Sequence, residues 1–426
     1  MMHTEPSNDA RPVTHSPGIL LICPHNSYRV GPYIQAAEQL NINVTVVSQG
    51  RHSLVSPVAN GIHVDFTHPE QAFDDILAAI EGSSIIAVIG TDDQTTELAQ
   101  QLSMQLGLAH NDTNASRYTR RKDLARKRLQ KTSVNVPQFS VKTITALRKD
   151  MSQCPDFPVV VKPVSLSGSR GVIKVDNEAQ MLQALDCIEG IVAQEQLSRE
   201  EKLIVLVEQY IDGFEYAFEG MMDNGQLHCL ALFDKPDMMH GPYFEETYYV
   251  TPSRLPADMQ DNIQQAVLTA CEAFGIKNGP IHAEVRINDG QVWFMEMAAR
   301  TIGGECARLL TFATGMTLEQ LVIRQAAGEP FVDVQMRGAA GVMMIPTLKH
   351  GMLKRVEGIL KAARIEFIQD VQISVPAGYE LVPLPEGFSY LGFIFARAPT
   401  PEQVEHALRQ AYACLDIKTS PIFKVE

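Results

Sequence analysis

A chain of 426 residues is longer than one hydrophobic core ordinarily serves, so two or three domains are expected. Apolar residues make up 45% and charged residues 20%, the proportions of an average globular protein. The net charge of −14 argues against a general affinity for nucleic acid or anionic membranes, while leaving room for a local basic pocket.

The chain begins with a polar, proline-containing stretch, Met1 to Pro17, which lacks the apolar centre of a secretory signal and reads as a disordered lead-in. From Gly18 the texture changes. The apolar run Ile19–Cys23 predicts a strand, followed by a helix near Tyr33–Leu40 and a second strand at Val44–Val47. Ile85–Ile89 predicts a third strand, and Thr95–Leu106 a helix. Strands alternating with helices imply a parallel sheet covered on both faces, so 18–111 reads as a small doubly wound α/β domain. Its first strand-to-helix turn, Cys23-Pro24-His25-Asn26-Ser27, has no GxGxxG, and no GxxxxGK[ST] occurs anywhere. A dinucleotide at that turn and a P-loop are therefore both disfavoured.

Residues 119–131 predict one basic helix, a mostly solvated face on which Lys122 is the functional candidate. Strands are expected at Val159–Lys162, Val172–Val175 and Leu203–Gln209. Two hairpins follow, one turning at Asp223-Asn224-Gly225 and one joining Ile281–Ile287 to Gln291–Met297. Helices are expected at Asp258–Phe274 and Leu318–Ala327. After Gly328-Glu329-Pro330 comes an α+β region with strands near Ala340–Pro346, Val371–Val375 and Gly392–Ala396 and a helix at Pro401–Cys414. The seven cysteines are scattered, with no CxxC pair, which fits a reduced cytoplasmic compartment. No apolar run approaches the roughly 20 residues that span a bilayer.

Three segments carry residues suited to chemistry. On the second hairpin His282, Glu284 and Arg286 share a face. A three-residue turn would set Glu284 opposite Glu296, and a two-residue turn would displace them by one position. Carboxylates opposed at strand distance repel, and magnesium, which prefers such oxygens, would remove the cost; two exposed glutamates are the plainer alternative. Arg300, four residues beyond Glu296, has the planar fork that meets phosphate, and Gly303-Gly304 let backbone approach a ligand. In Phe157-Pro-Val-Val-Val-Lys-Pro-Val-Ser-Leu-Ser-Gly-Ser-Arg-Gly171, Lys162 ends an apolar strand where a charge needs a partner. The Ser165–Gly171 loop after it suits an anion. Leu206-Val-Glu-Gln-Tyr-Ile-Asp-Gly-Phe-Glu-Tyr216 joins an apolar strand to an acidic, aromatic turn.

In this order, the three segments resemble the ATP-grasp superfamily from about Asn111 to Gly328. Phe233-Asp-Lys-Pro-Asp237, Gly241-Pro-Tyr-Phe-Glu-Glu-Thr247, Glu296-Met-Ala-Ala-Arg300 and the region beginning Gly341-Val-Met-Met-Ile-Pro346 resemble its L-amino-acid ligase branch, which forms dipeptides. The resemblance implies an ATP-grasp fold, α/β and α+β, behind the N-terminal parallel domain. It divides the remainder into a linker helix with a small lid subdomain (112–200), a large subdomain with the metal site (201–330) and a C-terminal α+β domain (331–426). It implies ATP and magnesium, with manganese as a substitute, and amino-acid substrates joined through an acyl phosphate; a homodimer is its candidate assembly.

By the same resemblance Lys122 and Lys162 contact phosphates, and Ser167, Ser169 and Gly171 lie in the closing loop. Glu208 and Tyr210 sit at the adenine mainly through backbone, and Glu215 binds ribose. Glu284 and Glu296 bind magnesium, Arg300 steadies the transferred phosphate, and Gly303 and Gly304 border the amino-acid pocket. His282 is either a substrate contact or structural. Many members carry Asn two residues after the second metal glutamate, where this chain has Ala298, which leaves the number of metal ions open. A biotin-carboxylase-like or purine-type carboxylase and a non-catalytic nucleotide-binding subunit are the competing readings.

Overall fold

The computed structural model describes residues 17–25, 27–49, 60–310, 312, 315–387 and 390–422. All of the expected lead-in except Pro17 lies outside the described residues. The N-terminal unit runs β1 (Gly18–Cys23), α1 (Val30–Gln39), β2 (Asn43–Gln49), β3 (Asn60–Val64), α2 (Pro69–Ala79), β4 (Ile85–Gly90) and α3 (Thr96–Gln105). Its sheet is parallel, in the order β3-β2-β1-β4. The apolar run of β1 buries both faces. Ile19, Leu21 and Cys23 pack with Tyr33 and Ala37 of α1, while Leu20 and Ile22 pack with Ile76 of α2 and Leu102 of α3.

The expected basic helix is two helices, α4 (Ala115–Arg120) and α5 (Lys122–Leu129). They break at Arg121, whose backbone is extended (φ −96°, ψ 97°), and Lys122 N–H donates to Val164 at 2.8 Å. Nor is this face solvated throughout, because Arg121 and Arg126 are 6% and 1% exposed. Charges buried so deeply need partners, and those partners define the site below.

The next unit is β5 (Phe139–Thr143), α6 (Ile144–Leu147), β6 (Val159–Pro163), β7 (Ile173–Val175), α7 (Glu178–Ala193), α8 (Arg199–Leu203) and β8 (Ile204–Gln209). Its antiparallel sheet, β5-β8-β6-β7, is covered by α7, which the sequence reading did not anticipate. Met181, Leu185, Ile188 and Val192 are the apolar stripe that seats α7 on the sheet.

The chain continues through β9 (Phe214–Asp223), β10 (Gln226–Asp234), β11 (Tyr248–Thr251), α9 (Ala257–Phe274), β12 (Gly279–Asn288), β13 (Gln291–Ala298) and α10 (Leu318–Ala326). It ends in β14 (Ala339–Ile345), β15 (Gly351–Glu357), α11 (Ile359–Ala362), β16 (Ile368–Ile373), β17 (Glu380–Leu381), β18 (Gly392–Ala398), α12 (Pro401–Tyr412) and β19 (Asp416–Ser420). One eight-stranded sheet, β13-β12-β9-β10-β11-β14-β18-β16, carries strands from both sides of residue 330. A small sheet, β17-β15-β19, stands apart. None of the described helices is long and apolar enough to cross a membrane.

Candidate active site

The β12–β13 hairpin turns through two residues, since Asn288 pairs with Gln291. Asp289 and Gly290 both have positive φ (49° and 72°), the mirror-image turn whose twist suits a tight hairpin. With that turn alone the two glutamates would be out of register. The register instead shifts between Val285 and Glu284, so Val285 pairs with Phe294 and Glu284 with Glu296, leaving Met295 as the extra residue of a β-bulge. Phe294 and Met297 therefore both enter the core while Glu296 comes round to the face of Glu284.

A first charged cluster lies between the hairpin and the lid sheet. Lys162 Nζ is 2.5 Å from Glu208 Oε2, and Arg126 Nε donates to Glu208 Oε1. The carboxylate of Glu208 is thus fully engaged, a side-chain role where backbone contacts were expected. Burial opposes its ionisation, but Arg126 and Lys162 hold its carboxyl below the usual range. Burial pushes the Lys162 ammonium down, with Arg126 and Lys122 adding to the effect and Glu208 resisting it. Lys122 Nζ reaches Glu296 Oε2 at 2.6 Å. A second arm of Arg126, Nη2, donates to the Met295 carbonyl.

The second cluster surrounds Lys235, whose Nζ lies 2.7, 2.6 and 2.8 Å from Glu215, Glu246 and Glu284. Glu215, expected to be free for ribose, also accepts from Arg286 Nε at 3.0 Å. Burial pushes Glu246 up to about 7 against the pull of Lys235, and Glu284 adds to the push. Burial also works against Glu284, yet Lys235 and His282 hold it well below the usual range. His282 Nδ1 and Nε2 lie 3.4 Å from Glu219 and 3.7 Å from Glu284. Although burial lowers its pKa, these carboxylates raise it to about 9, so the ring is a cation at neutral pH. Lys235 and Glu246 were quoted in sequence only as markers of resemblance; a lysine closing the apolar run Leu230–Phe233 was the available signal.

Arg300 is tied to the N-terminal unit. Its Nε and Nη2 donate to the two oxygens of Asp93 at 2.9 and 2.8 Å. Beside it Arg29 Nη1 donates to Asp92 at 2.6 Å, and Arg29 Nη2 to the Ile302 carbonyl at 3.4 Å. Asp92 and Asp93 follow β4 at the carboxyl end of a parallel sheet, where open α/β folds place ligands; that position was the unused clue. A Cβ on Gly303 would lie 3.6 Å from Arg29 and 3.7 Å from Tyr28 OH. Gly304 has φ +60°, and a Cβ there would meet Met344 at 2.2 Å.

The loop after Lys162 has left-handed backbone at Gly168, Ser169 and Gly171. Ser167 is exposed and Ser169 half-buried, while Gly171 N–H donates to the Pro385 carbonyl at 3.1 Å. Tyr210 stacks on Phe244 with ring centroids 6.4 Å apart. The structure thus gathers Lys122, Lys162, Glu208, Glu284 and Glu296 at one cleft. Arg300, Gly303 and Gly304 border the N-terminal unit.

Opposed glutamates on hard oxygen donors, each with an ammonium as its near partner, fit a divalent cation of the magnesium type. Ala298, opposite His282, adds no donor. The oxygens of Glu215, Glu246 and Glu284 also lie within 4.8 Å of one another, but the Lys235 ammonium already sits in hydrogen-bond reach of all three.

A lid sheet and a larger antiparallel sheet facing each other across lysines and paired glutamates define the ATP-grasp fold. Residues 155–308 match the ATP-grasp domain family, and 343–420 match the L-amino acid ligase C-terminal domain 2. The chain thus carries an ATP-grasp domain followed by an L-amino acid ligase C-terminal domain. The crystal structure of an L-amino acid ligase from Bacillus licheniformis superposes with a TM-score of 0.83 at 25% identity, covering 95% of this chain and 99% of that one. Dapdiamide A synthase of Enterobacter agglomerans is 27% identical over 54% of this chain and 54% of its own length. Alanine–anticapsin ligase of Bacillus subtilis is 23% identical over 61% of this chain and 58% of its own length. The matched regions thus span only a little over half the length of these curated relatives.

Proposed function

We propose that the protein is an ATP-dependent carboxylate–amine ligase, joining an amino acid to another amino acid or amine and releasing ADP and phosphate. The observation that carries this reading is the opposed pair Glu284 and Glu296, set between Lys122, Lys162 and Lys235. In the proposed reaction a substrate carboxylate oxygen attacks the terminal phosphorus of ATP, ADP leaves, and an amine nitrogen then attacks the acyl carbon and expels phosphate. Such chemistry asks the protein for position and charge rather than covalent help.

Lys122 and Lys162 hold the phosphates, and Glu284 and Glu296 are the ligands for magnesium, or manganese in its place. That ion would neutralise charge gathering on the transferred phosphate. Glu208 orients Lys162, and backbone beside Tyr210 faces the base. Ser167, Ser169 and Gly171 close over the phosphates and keep water from the acyl phosphate. Arg300, aimed by Asp93, steadies the phosphoryl group, and Gly303 and Gly304 leave room for the amino acid.

The match of the C-terminal region to L-amino acid ligases supports this reading over a carboxylase, which shares the nucleotide site. The seven cysteines, none of them disulfide-bonded, support a cytoplasmic location. A screen of amino-acid pairs for phosphate and ADP release in bicarbonate-free buffer, with mass spectrometry of the products, tests the proposal. An amide product is expected. ATP turnover that requires bicarbonate and yields no amide would refute it.

A further inference from the structure

We infer that Arg126 is a positioning residue that locks the metal-binding register of the β12–β13 hairpin to the phosphate-binding lysine of the lid sheet. The inference rests on the nucleotide reading above. In the hairpin, Met295 has no partner residue on β12, because the bulge sets two residues of β13 against one. A carbonyl left without a strand partner by a bulge in a half-buried edge needs another donor. Arg126, 1% exposed, supplies it from α5 through Nη2.

The register of the metal pair depends on that bulge. In unbroken alternation from Phe294, Met295 would take the face of Glu284 and Glu296 would point into the core. Holding the Met295 carbonyl therefore holds Glu296 on the cation side. The same guanidinium uses Nε to bond Glu208, whose other oxygen carries Lys162. One planar fork thus joins segments at 126, 208 and 295, and ties the metal glutamate Glu296 and the phosphate lysine Lys162 to one side chain. A lysine has a single point of charge and would satisfy one arm at most. Asn135 supports the same edge, since Phe294 N–H donates to its carbonyl at 2.9 Å, but it makes no link to Lys162.

The test is equilibrium binding rather than turnover, on the full chain. Mn²⁺ is followed by electron paramagnetic resonance in the presence of a non-hydrolysable ATP analogue, and the analogue is followed by calorimetry. Arg126→Met removes one of two cations from the cluster and leaves Lys162 and Glu208 as a neutral pair, which favours a folded variant. Both affinities are expected to fall together by at least about tenfold, the scale seen when a group behind a metal ligand is lost. Arg126→Lys is expected to recover one affinity and not both, and carries the test should Arg126→Met fail to fold. Arg128→Ala, at an exposed site on the same helix, is expected to change neither. A folded Arg126→Met variant with either affinity within twofold of the parent overturns the coupling, as does full rescue of both by lysine. Failure of the parent protein to bind Mn²⁺ with the analogue would instead sink the nucleotide reading, and the inference with it.

Discussion

The two charged clusters of the cleft are built on opposite plans. Around Glu208 two cations meet one carboxylate, leaving an excess of positive charge. Around Lys235 and His282 four carboxylates, Glu215, Glu219, Glu246 and Glu284, meet two cations, and even with Arg286 on Glu215 they outnumber the positive groups. Both are buried, where an uncompensated charge is costly. The first is therefore short of an anion and the second short of a cation, and they meet where Glu284 of the second stands opposite Glu296, the partner of Lys122. A polyphosphate with its metal would satisfy both deficits at once. This difference, more than any one residue, is what the proposed nucleotide site rests on.

The largest expected effect breaks the boundary between the clusters. Glu296→Ala should leave the fold intact, because Glu296 is half-buried at an edge strand, but should reduce amino-acid-dependent ADP release by about 10³-fold, the scale of losing one principal electrostatic contact. Unchanged turnover would show the pair does not hold the metal.

Next is the anionic cluster itself. Lys235→Met leaves three buried carboxylates without their cation and is expected to destabilise the fold by about 3–5 kcal/mol at pH 8. Without the lysine, burial is left unopposed at Glu246, whose carboxyl already stands at about 7, and its folded pKa rises further above the unfolded one. Proton uptake then favours the folded state, so the deficit should shrink as pH falls from 8 to 5. Denaturant titrations across that range check it, and a deficit independent of pH would contradict the assignment.

The smallest effect is a reference outside both clusters. Glu201 accepts from Ser165, Ser198 and Arg120, and despite the opposing effect of burial these partners lower its carboxyl to about 2. A depressed pKa contributes stability above the unfolded value and loses it as pH falls through the folded one. Glu201→Gln should therefore cost about 2–3 kcal/mol at pH 7, a gap that closes between about pH 4.5 and 2.

How much of this was legible in sequence differs between the clusters. Lys162 stood out because a charge ending an apolar strand needs a partner, whereas Glu208 was marked only by the resemblance, and for its backbone. The hairpin was visible in its turn residues, but the register depended on a bulge. Its only sequence trace is the step from Val292 and Phe294 to Met297, where the two-residue apolar spacing becomes three. Arg126 was hidden in a basic run whose neighbours Lys127 and Arg128 are exposed, so composition pointed to solvent. The helix break at Arg121, which turns Lys122 toward Glu296, has no proline or glycine to announce it. Asp93 and Lys235 act through partners far along the chain, at Arg300 and at the three glutamates, and only the fold reveals those pairings.

The most direct test of the central claim is to locate the metal. Crystals grown with Mn²⁺ and a non-hydrolysable ATP analogue should give an anomalous peak bridging Glu284 and Glu296, with Lys122 displaced from Glu296 toward phosphate. A peak seated instead among Glu215, Glu246 and Glu284, or no peak with the nucleotide bound, would contradict it.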